Sequence, residues 1–87
     1  PSLIRNYQLK ASCFFRENRS EEAAQNYEKA IEIQLENMPS NHPDIRANYF
    51  RLGDCYCRMD KLELATQSYD QATASNDPEA EGEDDAS

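Results

Sequence analysis

Glycine and histidine are scarce in this chain, and their scarcity excludes several kinds of chemistry before any pattern is sought. Gly53 and Gly82 are the only glycines, so no glycine-rich loop can turn a row of backbone N–H groups onto a phosphate. One histidine, His42, and three cysteines give no zinc-type spacing, and Cys55 and Cys57, about 200° apart round a helix, cannot share a metal. No apolar run approaches the roughly eighteen residues of a membrane-crossing helix, and no signal-peptide pattern opens the chain. No nucleophile stands at a recognisable interval from a histidine or an acid. Acid pairs such as Glu21 and Glu22 fall at a helix start and face solvent. Catalysis, a cofactor and a metal site are therefore not expected, and neither is membrane insertion or a nucleic-acid partner.

What is present is periodicity. From Tyr49 to Ala72, Leu52, Gly53 and Tyr56 share one helical face, Met59, Asp60 and Lys61 form a polar turn, and Ala65, Tyr69 and Ala72 share a face of a second helix. That is an antiparallel helical hairpin, and small residues at Gly53, Ala65 and Ala72 predict close approach of the two backbones. An offset of 42 residues finds Tyr7, Ala11, Phe14, Ala23, Tyr27 and Ala30 in the same roles. Only Lys10, standing where Leu52 stands, departs from the copy, with Leu9 beside it.

Read in order, Ser2 is the expected N-cap of a helix over residues 3–16, followed by a turn at 17–20 in which Asn18 takes a left-handed conformation. Its counterpart is Asp60. Ser20 is expected to cap a long helix over 21–36, with Glu21 and Glu22 suiting its positive end. Asn37 to Ser40 break that helix. His42 reads as a loop or cap residue held by Pro43, which opens a third helix with Asp44 in its first turn. A fourth helix is expected over 61–75, with Asp60 and Glu63 as a capping-box-like pair.

The order Tyr49, Leu52, Gly53, Tyr56, Ala65, Tyr69, Ala72 resembles the tetratricopeptide repeat pattern. The 42-residue spacing and the segment Asn41-His42-Pro43-Asp44 look most like the kinesin light chain type of that repeat. The resemblance covers residues 4 to about 77. It implies an all-α fold of two stacked antiparallel hairpins, about 3–37 and 43–75, within a folded region 1–76. In such a stack the first helix of each hairpin lines a concave groove that serves as a protein interaction surface. Each hairpin buries its apolar face largely against neighbours, and roughly three or more are wanted for stability. The chain, opening at Pro1, therefore reads as a piece of a longer protein, marginally stable or self-associating through its open ends.

Charge separates along the chain. Asp77, Glu79, Glu81, Glu83, Asp84 and Asp85 are six of the seventeen acids, leaving eleven acids against nine bases in residues 1–76. Segment 77–87 is too acidic and too poor in apolar residues to fold, and reads either as an acidic tail able to fold back onto a basic groove or as a solvated terminus. Cys13 and Cys55 are equivalent by the offset and are expected as semi-buried packing residues in a reduced, cytoplasmic setting.

The binding surface is read from the same charges. The first helices carry Arg5, Lys10, Arg16, Arg46, Arg51 and Arg58, and the second helices are mostly acidic. With Tyr49, Leu52, Gly53 and Tyr56 turned to the partner helix, Phe50, Asp54, Cys57 and Arg58 adjoin them, with Arg51 at the margin. The first repeat presents Arg5, Gln8, Ser12, Phe15 and Arg16 on the matching face. Arginines around phenylalanines suit a peptide bearing acidic and aromatic residues. Equally, Phe15 and Phe50 can pack against a neighbouring repeat, which makes a structural or oligomerisation segment the alternative. Domains that clamp the carboxylate end of heat-shock chaperones have Lys and Asn on this surface where Gln8, Ser12 and Arg51 stand here, which disfavours that role.

Overall fold

The computed structural model describes residues 2–73, so the expected end of the fourth helix near Ser75 and the acidic segment 77–87 lie outside the described residues. Four helices follow one another: α1 (Ser2–Arg16), α2 (Ser20–Asn37), α3 (Pro43–Arg58) and α4 (Leu62–Thr73). Each packs on the next, α1 on α2, α2 on α3 and α3 on α4, with no strand among the described residues. The fold is the all-α stack of two hairpins that the periodicity predicts.

The two hairpin turns use the same device. Asn18 and Asp60 both have positive φ, 65° and 63°. In the first turn the Arg19 N–H donates to Phe14 O at 2.8 Å and the Asn18 N–H to Phe15 O at 3.1 Å. In the second, the Lys61 N–H donates to Tyr56 O at 2.9 Å and the Asp60 N–H to Cys57 O at 3.0 Å. This is the paired bonding of a left-handed helix C-terminus, which satisfies carbonyls that the helix end leaves open.

The helix starts divide between expectation and correction. His42 caps α3, its Nδ1 accepting from the Asp44 N–H at 3.1 Å, with Pro43 in the first turn. A Nδ1 that accepts carries no proton, so the His42 to Asp44 approach at 3.9 Å is not an ion pair in this tautomer. Ser20, however, is the first residue of α2, and Arg19 occupies the cap position without a side-chain bond. The Arg19 side chain instead pairs with Glu22 at 3.1 Å. The capping box at Asp60 and Glu63 is also absent. Asp60 is committed to the left-handed turn and α4 begins two residues later, at Leu62.

The core is centred on α2. Ala23, Ala24, Tyr27 and Ile31 of that helix meet Ala11 from α1 and Ile45, Leu52 and Cys55 from α3. Cys55 is fully buried there, and burial pushes its thiol pKa up to about 11. Cys13 is exposed, contrary to the expectation that it shares this environment. Cys55 faces α2, whereas among the described residues no helix packs on the corresponding side of α1. The same asymmetry explains Lys10. Leu52 is buried toward α2, but its first-repeat counterpart Lys10 is exposed, and Leu9 is 55% exposed at the groove.

Gly53 is needed for a reason other than the one its spacing predicts. A Cβ there would lie 2.7 Å from Cε1 and 2.8 Å from Cδ1 of Tyr69. An aromatic ring from α4, rather than the α4 backbone, lies against the glycine.

Candidate functional site

The first helices of the two hairpins, α1 and α3, stand side by side with α2 behind them, and a cleft of about 360 Å³ opens between them. Arg5, Gln8, Leu9 and Ser12 form the α1 wall, Asp44, Ala47, Asn48 and Arg51 the α3 wall, and Tyr27 part of the floor. Farther along, Ser12, Tyr27 and Arg51 also line a smaller hollow of about 70 Å³ with Phe15 and Asp54. Six of the residues expected on the binding surface, Arg5, Gln8, Ser12, Phe15, Arg51 and Asp54, therefore line these two hollows, which share Ser12, Tyr27 and Arg51.

The other four stand elsewhere. Arg16 is exposed and lines neither hollow. Phe50 is 53% exposed and meets Tyr69 edge-on, with ring centroids 5.4 Å apart. The sulfur of Cys57 lies 3.5 Å from the Tyr69 hydroxyl. Arg58 lies over the Phe15 ring at 3.9 Å, and its Nη1 donates to Asn18 Oδ1 at 2.9 Å and to Phe15 O at 3.3 Å. Arg58 is thus occupied in tying the end of α3 to the first hairpin turn, and it half-covers Phe15. Phe50 and Leu9 are the more open apolar side chains.

A buried polar ladder fixes the spacing of the cleft walls. The Gln8 side-chain amide donates to Asn48 Oδ1 at 3.0 Å, and the Asn48 amide donates to Gln34 Oε1 at 2.7 Å. Asn48 and Gln34 are almost wholly buried, 1% and 2% exposed. Groups so buried are costly unless bonded, so the ladder holds α1, α3 and α2 in one register. Neither Asn48 nor Gln34 was expected in the site. Gln34 carried a signal, because it continues the buried row of Tyr27, Ala30 and Ile31. Asn48 carried a weaker one, lying four residues before Leu52.

The electrostatics of the two walls differ. Burial raises the pKa of the Tyr27 hydroxyl above its ordinary value, and the positive charge of Arg51 beside it opposes the shift. Among the described residues neither Arg5 nor Arg51 makes an ion pair. The carboxylate of Asp54 instead accepts the Tyr69 hydroxyl at 2.5 Å. That bond raises the Tyr69 pKa above its ordinary value, and the contact with Cys57 adds to the effect. The cleft therefore presents two guanidinium groups on facing walls, with Asp44 at one end and Asp54 tied back by a phenol.

No group of acids, cysteines and histidines among the described residues is placed to hold a metal, and no described helix is long and apolar enough to cross a membrane. The sequence matches the family model described as tetratricopeptide repeat over residues 2–76. Comparisons with curated proteins and with solved structures each return no match.

Proposed function

The chain belongs to the tetratricopeptide repeat family, a class of protein-interaction modules that are generally non-catalytic, and we propose that its cleft between α1 and α3 binds an extended peptide of acidic and aromatic character. The supporting observation is that Arg5 and Arg51 line opposite walls of the cleft with no carboxylate partner among the described residues. A guanidinium left unpaired in a concave, partly desolvated setting forms charge-assisted bonds to carboxylates. Leu9, 55% exposed on the α1 wall, offers apolar surface in the cleft for an aromatic side chain. The 42-residue spacing and the His42-Pro43-Asp44 helix start support the kinesin light chain type of repeat, and the proposed setting is an adaptor in the cytoplasm.

Titration with a short capped peptide carrying phenylalanine between aspartates, against its asparagine analogue, tests this reading. Preferential binding of the aspartate peptide that weakens with added salt, and is lost in Arg51→Glu with helicity unchanged, is the expected result. Equal affinity for the two peptides overturns it.

A second reading has its own observation. Leu3 on α1 and Leu62 on α4 are 54% and 62% exposed, at opposite ends of the helix stack. Such end faces suit packing against further repeats or a second copy. Sedimentation across a range of concentrations distinguishes this structural role, which predicts self-association that the peptide does not reverse.

A further inference from the structure

We propose that Tyr69 is a specificity-determining positioning residue: by holding the Asp54 carboxylate, it keeps Arg51 available to an acidic ligand in the cleft. This rests on the reading of the cleft as a site for acidic peptides and names what maintains that preference. Arg51 and Asp54 are three residues apart on α3, the separation at which a helix brings opposite charges together. Both line the small hollow beside Tyr27 and Ser12. They nevertheless form no ion pair. Asp54 instead accepts the Tyr69 hydroxyl at 2.5 Å.

Tyr69 is itself well fixed. Its ring lies against Gly53, where even a Cβ would come within 2.7 Å, and meets Phe50 edge-on at 5.4 Å. The Cys57 sulfur contacts its hydroxyl at 3.5 Å. The phenol therefore has ring contacts with Gly53 and Phe50 and a sulfur contact at the hydroxyl that bonds Asp54. Without that hydroxyl, Asp54 loses its donor; Arg58, four residues on, is engaged with Phe15 O and Asn18, which leaves Arg51, lining the same hollow, as the unengaged cation. A carboxylate seated on Arg51 competes directly with a ligand carboxylate. Tyr69 lines neither hollow and acts on the ligand only through Asp54.

The test uses the full chain with Tyr69→Phe, which keeps the ring packed on Gly53 and removes only the hydroxyl. Side-chain NMR reads Arg51 directly, without any ligand. The Arg51 Nε resonance is expected to move in Tyr69→Phe and to return in Tyr69→Phe/Asp54→Asn, where no carboxylate remains to capture it. In peptide titrations Tyr69→Phe is expected to weaken binding of the aspartate–phenylalanine peptide by roughly two- to fivefold, the scale of one solvent-accessible ion pair. The asparagine analogue should be unaffected, and the double variant should recover the aspartate peptide. An Arg51 Nε resonance unmoved by Tyr69→Phe overturns the inference, as does a double variant that stays weak. Failure of the unaltered chain to prefer the aspartate peptide overturns the function proposed for the cleft, while the Arg51 resonance still decides the role of Tyr69.

Discussion

The two hairpins place a tyrosine at the same point, Tyr27 on α2 and Tyr69 on α4, yet the two side chains have different surroundings. Tyr27 is enclosed between two first helices, 3% exposed, with Arg51 beside its hydroxyl. Tyr69 has α3 on one side only, and its hydroxyl bonds Asp54. The residue facing the ring differs to match. Ala11 stands where Gly53 stands, and its methyl group is fully buried in the core, whereas no methyl fits between Gly53 and Tyr69. Position in the stack, more than the repeated residue itself, decides what each copy does. Among the described residues, the element with neighbours on both sides is fixed by burial and the one with a single neighbour by particular polar contacts.

The largest expected effect tests this difference at the glycine. Gly53→Leu drives a branched side chain into the Tyr69 ring and should cost about 1–3 kcal/mol or more by overpacking. On a chain of this size that is enough to melt the second hairpin. Gly53→Ala is the sharper probe. Alanine gains roughly 1 kcal/mol of helix propensity, yet its Cβ lies 2.7 Å from a ring held by Phe50 and Asp54. A lower melting temperature is expected, and in a Tyr69→Ala background the same change should become stabilising. Thermal melts by circular dichroism of the unaltered chain and these variants decide the matter, and an unchanged melt in Gly53→Leu would show the packing of α3 on α4 to be misassigned.

Next comes the ladder. Asn48 has a counterpart at Asn6, 42 residues earlier, but Asn6 is exposed and Asn48 is 1% exposed. Asn48→Ala leaves the buried Gln34 amide and Gln8 without a partner, at a cost of about 1–3 kcal/mol. Asn6→Ala should change stability by less than about 0.5 kcal/mol. Chemical denaturation of both variants checks the contrast, and equal losses would show that the ladder contributes nothing.

Much of this was legible in sequence because it depends on periodicity. The four helices, the hairpin order, the left-handed residues Asn18 and Asp60 and the His42 cap all follow from spacing and local backbone chemistry. Most of what sequence missed depends on which helix faces which. Cys13 and Cys55 occupy the same repeat position, but among the described residues only Cys55 has a helix to pack against. Arg58 and Arg51 are both basic residues of α3, but the turn at Asn18 comes within reach of Arg58 and takes it out of the cleft. Helix caps failed for a local reason: at Ser20 and Asp60 the tight C-terminal bonding of the preceding helix fixed the backbone first, leaving no extended residue to act as a side-chain cap.

The cysteine pair gives a smaller effect that depends on pH. The Cys55 thiol is held neutral to about 11, against 9.0 for an unperturbed thiol. Between those values the folded chain retains a proton that the unfolded chain releases, so stability falls as pH rises from about 9 to 11 and is independent of this group below that range. Tyr56 and Tyr69, both raised above 10.0, act in the same direction at higher pH. Cys55→Ala should flatten the stability curve between pH 9 and 11. In the folded chain, alkylation should reach Cys13 and Cys57 and spare Cys55. Labelling of Cys55 at the same rate as Cys13 would show that it is not buried.

The smallest effect compares the two turns. Asn18 and Asp60 have nearly the same φ, 65° and 63°, and glycine relieves the crowding that any side chain meets there. Their contacts differ. Asn18 Oδ1 accepts from Arg58 at 2.9 Å. Asp60 puts a negative charge at the C-terminal end of α3, where the helix dipole is also negative. Asp60→Gly should therefore raise stability by about 0.5–1 kcal/mol, through relief of both strain and repulsion. Asn18→Gly gains the relief of strain alone and removes the Arg58 acceptor, a loss of comparable size, and should leave stability close to unchanged. The comparison closes in an Arg58→Ala background. There Asn18 has no partner to lose, and Asn18→Gly should become stabilising by a few tenths of a kcal/mol. If Asn18→Gly already stabilises the unaltered chain as much as Asp60→Gly does, the Arg58 tie carries no free energy, and the two turns differ in contacts without differing in strength.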